Sequence, residues 1–339
     1  MGTDRARSAT WEASPNIALV KYWGIRDPAL NLPYNSSISL TLRRLRTRTT
    51  VELAPEGADD RLILNGVSAE GRPLESVRRF LDRIRERAGD RRPAVVRSHN
   101  NFPTASGLAS SASGFAALAA AAAEAYGLTV SRRELSRLAR LGSGSASRSI
   151  FGGFVEWRRG DRRDGRDSYA RPLFDERYWP AFRDLVVVVG DAREKSVRSQ
   201  DAMQATVRTS PEFDRRQREL PGRLAKIRAA LRRRDPDELF PLIMEECDSF
   251  RTVCETTVPS LDYLSRTSRA VLDEVRALNA EAGRPIAAYT HDAGAHLHVF
   301  TLAKDARTVR ARLRGVPGVR RTWLLEAGPG VRPTHARVP

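Results

Sequence analysis

An α+β fold in two lobes is what this sequence predicts, and three observations carry the prediction. The first half alternates short β-branched stretches of period two with loops, as half-buried strands do. Helical apolar patterns fill Glu212 to Leu278. Between the two, LVVVVGD at Leu185 is an unbroken apolar strand after a connection rich in Pro and aromatic residues, a common way to open a new sheet. The chain has 339 residues, 41% of them hydrophobic, enough for one large or two ordinary cores, and the expected division is 1–184 and 185–339.

Taken in order, NIALVKYW, SSISLTL, TRTTVEL and DRLILNG read as strands. A helix follows at about Glu75 to Ala88, then the strand AVVRSHN. An Ala-rich helix spans about Ser111 to Tyr126, with Gly127 placed to terminate it. The next helix begins at the N-cap Ser131, in SRRELSRLARLGSGSASRSIFGG, and dissolves into Gly and Ser. FVEWRRG is a strand, and Asp161 to Asp167 a charged loop. In the second lobe, IAAYTHDAGAHLHVFTL reads as a strand, a tight polar turn and a returning strand.

The formal charge of +17, from 58 Lys and Arg against 41 Asp and Glu, favours any polyanion. The excess Arg recurs in RRFLDRIRER and RLAKIRAALRRRD, where charges surround an apolar stripe, and aromatic residues make up only 7%. This pattern reads as solvated surface, and no nucleic-acid partner is expected. Cys247 and Cys254 lie seven apart, roughly on one side of a helix, which suits buried thiols and not a metal or redox motif. MGTDRARSATWEASPNIALV contains no apolar core of signal-peptide length, and no window approaches the roughly 18 apolar residues of a membrane span. A cytoplasmic location and no membrane partner are therefore expected.

Four stretches carry candidate chemistry. In NNFPTASGLASSASGFAAL, Pro103 and Gly107 flank a turn after which backbone N–H groups can converge on a phosphate where the Ala-rich helix begins. The hydroxyls of Ser110, Ser111 and Ser113 are available to phosphate oxygens or to a magnesium ion. The alternative is a tight helix-packing segment; a Walker loop is excluded because no GK[ST] occurs. GSGSASRSIFGG places Arg148 among hydroxyls, as a carboxylate or phosphate pocket requires. KYWG at Lys21 and THDAG at Asp292 set a charged residue beside Gly or aromatic residues at strand ends, so that together the motifs suggest a site with one acid, one Lys and one Arg.

These motifs, with LNLPYNSSISLTL, occur in an order that resembles the GHMP kinase superfamily and, within it, the mevalonate diphosphate decarboxylase family. The resemblance spans nearly the whole chain. It implies an N-terminal ribosomal-protein-S5-like lobe, a C-terminal ferredoxin-like lobe, an active site between them and a homodimer. It also implies ATP and Mg as cofactors, and a reaction in which the 3-hydroxyl of a 5-phosphorylated mevalonate is phosphorylated before phosphate and carbon dioxide depart. On the family pattern Asp292, Lys21 and Arg148 are catalytic, with Arg148 holding the substrate carboxylate. Tyr22, Trp23, Gly24, Ser143, Gly144, Ser145 and Ala146 match substrate-contacting positions, joined from the second lobe by Arg198 and Ser199. Asn101 and the stretch Ala105, Gly107, Leu108, Ala109, Ser110 and Ser111 match the ATP-binding segment; no metal ligand is assigned.

Three departures bear on the substrate's phosphate end. Ile25 stands where most of the family has Lys after KYWG, the segment KSVRSQDAM offers Arg198, Ser199 and Gln200 in an altered arrangement, and an Arg expected before the first long helix has only Arg78 and Arg79 as nearby counterparts. The diphosphate is the principal expectation. 5-phosphomevalonate, yielding isopentenyl phosphate, and a plain small-molecule kinase that stops at the phosphate ester stay open beside it.

Overall fold

The computed structural model describes residues 8–102, 110–192, 197–336 and 338. The chain opens with β1 (Ser8–Ala13), β2 (Asn16–Val20), a short ribbon of β3 (Ile25–Asp27) and β4 (Leu32–Pro33), then β5 (Ser37–Thr41) and β6 (Thr47–Leu53). A hairpin of β7 (Arg61–Leu64) and β8 (Val67–Ala69) leads into α1 (Arg72–Ala88) and β9 (Ala94–Asn100). Helix α1 starts before the expected Glu75 because Pro73 sits in its first turn, where a missing N–H costs little. After α2 (Ser110–Ala125), α3 (Arg132–Gly142) and the single turn α4 (Ala146–Ser149) come β10 (Phe154–Trp157) and β11 (Ala170–Phe174). Ser131 caps α3 as expected, its hydroxyl accepting from the Glu134 N–H.

The strand expected from Leu185 is β12 (Phe182–Val189), so position 184 falls inside it. The helical region resolves into α6 (Phe213–Arg233), α7 (Pro236–Glu255) and α8 (Arg266–Ala282), preceded by α5 (Ser199–Thr209), which the periodicity did not reveal. The hairpin of β13 (Ala287–His291) and β14 (Leu297–Leu302) matches the sequence reading; α9 (Ala306–Gly315), β15 (Val319–Leu325) and β16 (Arg332–Pro333) complete the chain.

Three main sheets result, ordered β16-β1-β6-β9-β7-β8, β11-β10-β5-β2 and β13-β14-β12-β15. All ladders are antiparallel except β7 with β9. Helix α2 runs through the middle of the first lobe, with Ala116 to Ala123 each at most 3% exposed. Its small side chains let β1, β6, α3 and α4 approach on all sides, so most of the small-residue run is a packing device and only its first turn is free for a ligand.

The lobes share a core. Ile17, Leu19 and Phe154 of the first lobe lie in one apolar cluster with Phe182, Leu224, Phe240 and Phe300 of the second. Buried Glu156 of β10 pairs with Arg171 and, across the interface, with Arg228 of α6. The chain also returns at its end, β16 pairing with β1 and Ala327 bridging to Leu42. Among the described residues no helix is long and apolar enough to cross a membrane, and both cysteines are free and buried, as expected.

Candidate active site

Strand ends and helix starts from both lobes converge on a cleft of about 980 Å3. Lys21 is the first residue past β2 and Asp292 the first past β13, so each side chain leaves its sheet where the ladder stops. They meet: Lys21 Nζ donates to Asp292 Oδ1 at 2.9 Å. The lysine is 3% exposed and the aspartate 29%, which leaves carboxylate oxygen facing the cleft. Burial alone would push the Asp292 carboxyl up, but the Lys21 ammonium, by charge and hydrogen bond, with His298 and Arg148, holds it below its ordinary value. Neighbouring His291 is pulled down to about 4, first by burial and then by Lys21. Its neutral ring therefore donates from Nδ1 to the Asp292 carbonyl, at 2.7 Å, and fixes the turn.

Arg148 is 3% exposed and lies in α4, facing the same cleft. Its Nε donates to Asn16 Oδ1 at 3.0 Å and its Nη1 to Ser37 Oγ at 2.6 Å. Asn16 is locked in turn, its Nδ2 donating to Ser149 Oγ at 2.8 Å and to the Ser145 carbonyl at 3.2 Å. Burial draws the guanidinium down to about 10, opposed by Asp292 and Tyr22, so it is a cation at neutral pH. No carboxylate lies within ion-pair distance of it among the described residues; a buried, aimed and unpaired fork is what a carboxylate ligand would complete. Asn16 and Ser37 sit inside NIALVKYWG and NSSISLTL, yet the sequence reading did not single them out. An Asn opening a strand and a Ser within one read locally as ordinary strand residues.

The aromatic wall is built around missing side chains. Tyr22 meets the Trp157 ring edge-on at 4.7 Å, and burial holds its hydroxyl protonated. A Cβ on Gly144 would come within 2.8 Å of both rings. Ser143 and Ser145 line the cleft on either side of it, with their hydroxyls 3.3 Å apart. Gly24 adopts φ +98° with Phe213 and Tyr34 against it, a conformation and a space that exclude a side chain. Gly24 and fully buried Ala146 support the wall from behind and are not among its lining residues.

Trp23 is anchored by Nε1 to Thr206 Oγ1 at 3.0 Å and stacks edge-on with Phe250. Ile25 belongs to this apolar cluster, 6% exposed beside Trp23, Met203 and Phe213, and does not line the cleft. Arg26 is also turned away, donating to Pro33 and Gly160 carbonyls at 3.2 and 3.0 Å.

Further cations face the cleft from other elements. Arg79 and Arg83, one turn apart on α1, face the cleft, and Arg198 and Ser199 face it from the start of α5. None of these three arginines has an ion-pair partner among the described residues, whereas Arg78 turns to the Asp60 carbonyl at 3.3 Å. Of Arg78 and Arg79, therefore, Arg79 is the one that faces the cleft. Sequence reasoning missed Arg83, whose only signal was its spacing of four from Arg79 on a helix already crowded with arginine.

The phosphate segment is divided. Ser110 and Ser111 open α2 and line the cleft. Ser113 does not: it is fully buried and bonded to Thr47 Oγ1 at 2.6 Å, a helix-to-sheet tie in place of the expected phosphate contact. Asn101 uses both ends of its amide on the chain between β5 and β6, accepting from Arg46 N–H and donating to the Arg44 carbonyl, each at 2.8 Å, and it does not line the cleft. Ala105, Gly107, Leu108 and Ala109 lie outside the described residues. No group of three or more His, Cys, Asp or Glu side chains among the described residues is placed to hold a metal.

Residues 13–170 match the diphosphomevalonate decarboxylase-like N-terminal domain, and residues 185–322 match the mevalonate 5-diphosphate decarboxylase C-terminal domain. The chain belongs to the diphosphomevalonate decarboxylase family. It is 42% identical over 326 residues to diphosphomevalonate decarboxylase mvd1 of Aspergillus fumigatus, covering 91% of this chain and 80% of that one. To the human diphosphomevalonate decarboxylase it is 41% identical over 327 residues, 91% of this chain and 81% of that one. Among solved structures, mevalonate diphosphate decarboxylase from Staphylococcus aureus superposes with a TM-score of 0.92 at 35% identity, covering 98% and 99% of the two chains. MDDEF in complex with MVAPP, AMPPCP and magnesium superposes at 0.90, also at 35% identity, covering 97% and 99%. The two-lobed α+β fold of this family is therefore the fold of this chain.

Proposed function

We propose that this protein converts 5-diphosphomevalonate to isopentenyl diphosphate, with ATP as phosphoryl donor and carbon dioxide as co-product. The observation that carries the reading is the Lys21–Asp292 pair at 2.9 Å, open to a cleft that also receives the unpaired guanidinium of Arg148. The bound MVAPP and AMPPCP of a structural relative support the same pair of substrates.

Asp292 accepts the proton of the tertiary 3-hydroxyl as its oxygen takes the γ-phosphoryl group of ATP and ADP departs. Lys21 keeps the carboxylate ionised beforehand and balances phosphoryl charge as it builds. The C3–O bond then breaks with its electron pair on departing phosphate. The C1–C2 bond follows, its pair forming the alkene as carbon dioxide leaves. Arg148 binds the substrate carboxylate and so stabilises it against loss; the drive for decarboxylation must come from the electron-poor C3 left by phosphate. Tyr22, Ser143 and Ser145 border the same carboxylate end, while Arg79, Arg83 and Arg198 offer three cations to the phosphate end.

The Ser110 and Ser111 hydroxyls line the cleft and would be available to a magnesium ion carried in on the ATP phosphates, which would supply charge neutralisation. Two free buried cysteines agree with a reducing, cytoplasmic setting, and a homodimer is the assembly the family resemblance implies.

With ATP and magnesium, and mevalonate, its 5-phosphate and its 5-diphosphate offered in parallel, carbon dioxide is expected from the diphosphate at the highest kcat/KM. Release from the 5-phosphate alone would move the assignment to that substrate. The position of Ile25 sharpens the test. Ile25→Lys buries an ammonium among Trp23, Met203 and Phe213, and is expected to cost on the order of 2–4 kcal/mol of stability, with the diphosphate-to-monophosphate ratio unchanged. A tenfold rise in that ratio would make Ile25 a substrate determinant after all.

A further inference from the structure

Lys21 is gripped at both ends by the second lobe. It lies beyond the last ladder pair of β2, Val20 with Ile38, on an edge strand that α7 covers. Its own sheet therefore offers its N–H no partner. Glu246 of α7 does: Oε1 accepts from Lys21 N–H at 2.9 Å. The Lys21 carbonyl accepts from Asn35 Nδ2 at 2.8 Å and from Arg216 Nη2 at 3.5 Å. Glu246 is fully buried between two arginines of α6, Arg216 and Arg223, the latter at 3.0 Å from Oε2.

Triads of this kind are poor investments if stability is their only purpose, since well-packed apolar groups often serve as well. What an apolar replacement could not do here is hold a main-chain N–H. We propose that Glu246 is the positioning residue of Lys21: through that hydrogen bond, a buried carboxylate of the second lobe sets where the first lobe presents its ammonium to Asp292. Helix α7 also packs on β13, the strand that ends just before Asp292, so one helix indexes both partners of the pair. The inference rests on the reading of Asp292 as the base.

The test is the acid limb of the kcat–pH profile, which reports ionisation of Asp292. The charged or titratable groups facing that carboxylate are Lys21 after β2, Arg148 of α4, His298 of β14 and adjacent His291 of β13. Glu246→Asp keeps the triad's charge but withdraws its reach; Glu246→Gln keeps the reach and removes the charge that binds both arginines. If Lys21 is released, Asp292 loses its nearest cation and the acid limb moves up by about one pH unit, with kcat down about tenfold. A direct charge effect has the opposite sign, because removing a negative charge lowers a nearby carboxyl pKa. An upward shift in Glu246→Asp, with the KM for ATP unchanged, is the expected result; Glu246→Gln keeps an oxygen for the Lys21 N–H and serves as the control for the charge effect. An unmoved or lowered limb in Glu246→Asp overturns the proposal, as does failure of both variants to fold, which would assign Glu246 to the fold alone. Loss of turnover in Asp292→Asn with an unmoved limb in the Glu246 variants rejects only this inference; retained turnover in Asp292→Asn removes its premise.

Discussion

Asp292→Asn is expected to lower kcat by at least about a hundredfold while the KM values for both substrates change little, because the amide keeps the shape of the carboxylate but loses its capacity to take a proton along with the charge that pairs with Lys21. The wild-type profile should show why the carboxylate serves. Lys21 holds its pKa below the ordinary carboxylate value, so activity should persist on the acid side to below that value before it falls. The sign is fixed by the pairing: protonating Asp292 removes the charge that pairs with an ammonium that has no other ion-pair partner among the described residues. Near-normal turnover by a folded Asp292→Asn protein, measured as carbon dioxide release, would withdraw the base.

The second large effect is expected at Arg148. Arg148→Lys keeps a charge but not the fork, and an ammonium cannot reach Asn16 and Ser37 while also engaging a carboxylate. A lost charge-assisted bidentate contact corresponds to about 2–3 kcal/mol, so kcat/KM for the mevalonate substrate should fall about thirty- to a hundredfold. The KM for ATP should stay near that of the wild type, since the contact is to the other substrate. A matching fall for both substrates would mean that the cleft had collapsed. Isothermal titration of the substrate without ATP separates the two outcomes.

The polar tips of the site were legible in the sequence because each stands where a regular pattern stops. Lys21 ends a strand before Trp and Gly, Asp292 opens a tight turn, and Arg148 follows a run of Gly and Ser that cannot continue the preceding helix. Their supports were not legible, because support is a property of distant pairs. Glu246 is 225 positions from the N–H it binds, and Asn16 is 132 from the guanidinium it holds. Ser113 misled for the opposite reason: it sits in a hydroxyl-rich motif, yet helical geometry turns it inward to Thr47 while Ser110 and Ser111 face the cleft.

Ile25 shows a third kind of limit. From the sequence it marks a missing cation; in the fold it fills an apolar cluster off the cleft, while Arg79 and Arg83 of α1 and Arg198 face the cleft. One substitution was visible and its compensation was not, since three unpaired arginines cannot be told from the many that are solvated or ion-paired until the surface is known. The two lobes also proved more closely joined than a division of the chain suggests. A shared core and the Glu156–Arg228 and Glu246–Lys21 contacts join them, and the Lys21–Asp292 pair is already made without substrate.

The central claim is that phosphoryl transfer and loss of carbon dioxide occur at one site as parts of one reaction. The most direct measurement follows ADP and labelled carbon dioxide together, from 5-diphosphomevalonate carrying the label at C1, under single-turnover conditions with ATP and magnesium. Equal amounts of the two products, with labelled carbon dioxide lost in parallel with ADP in Asp292→Asn, are the expected result. ADP formed without labelled carbon dioxide, and a phosphate ester accumulating in its place, would contradict the account and leave a kinase.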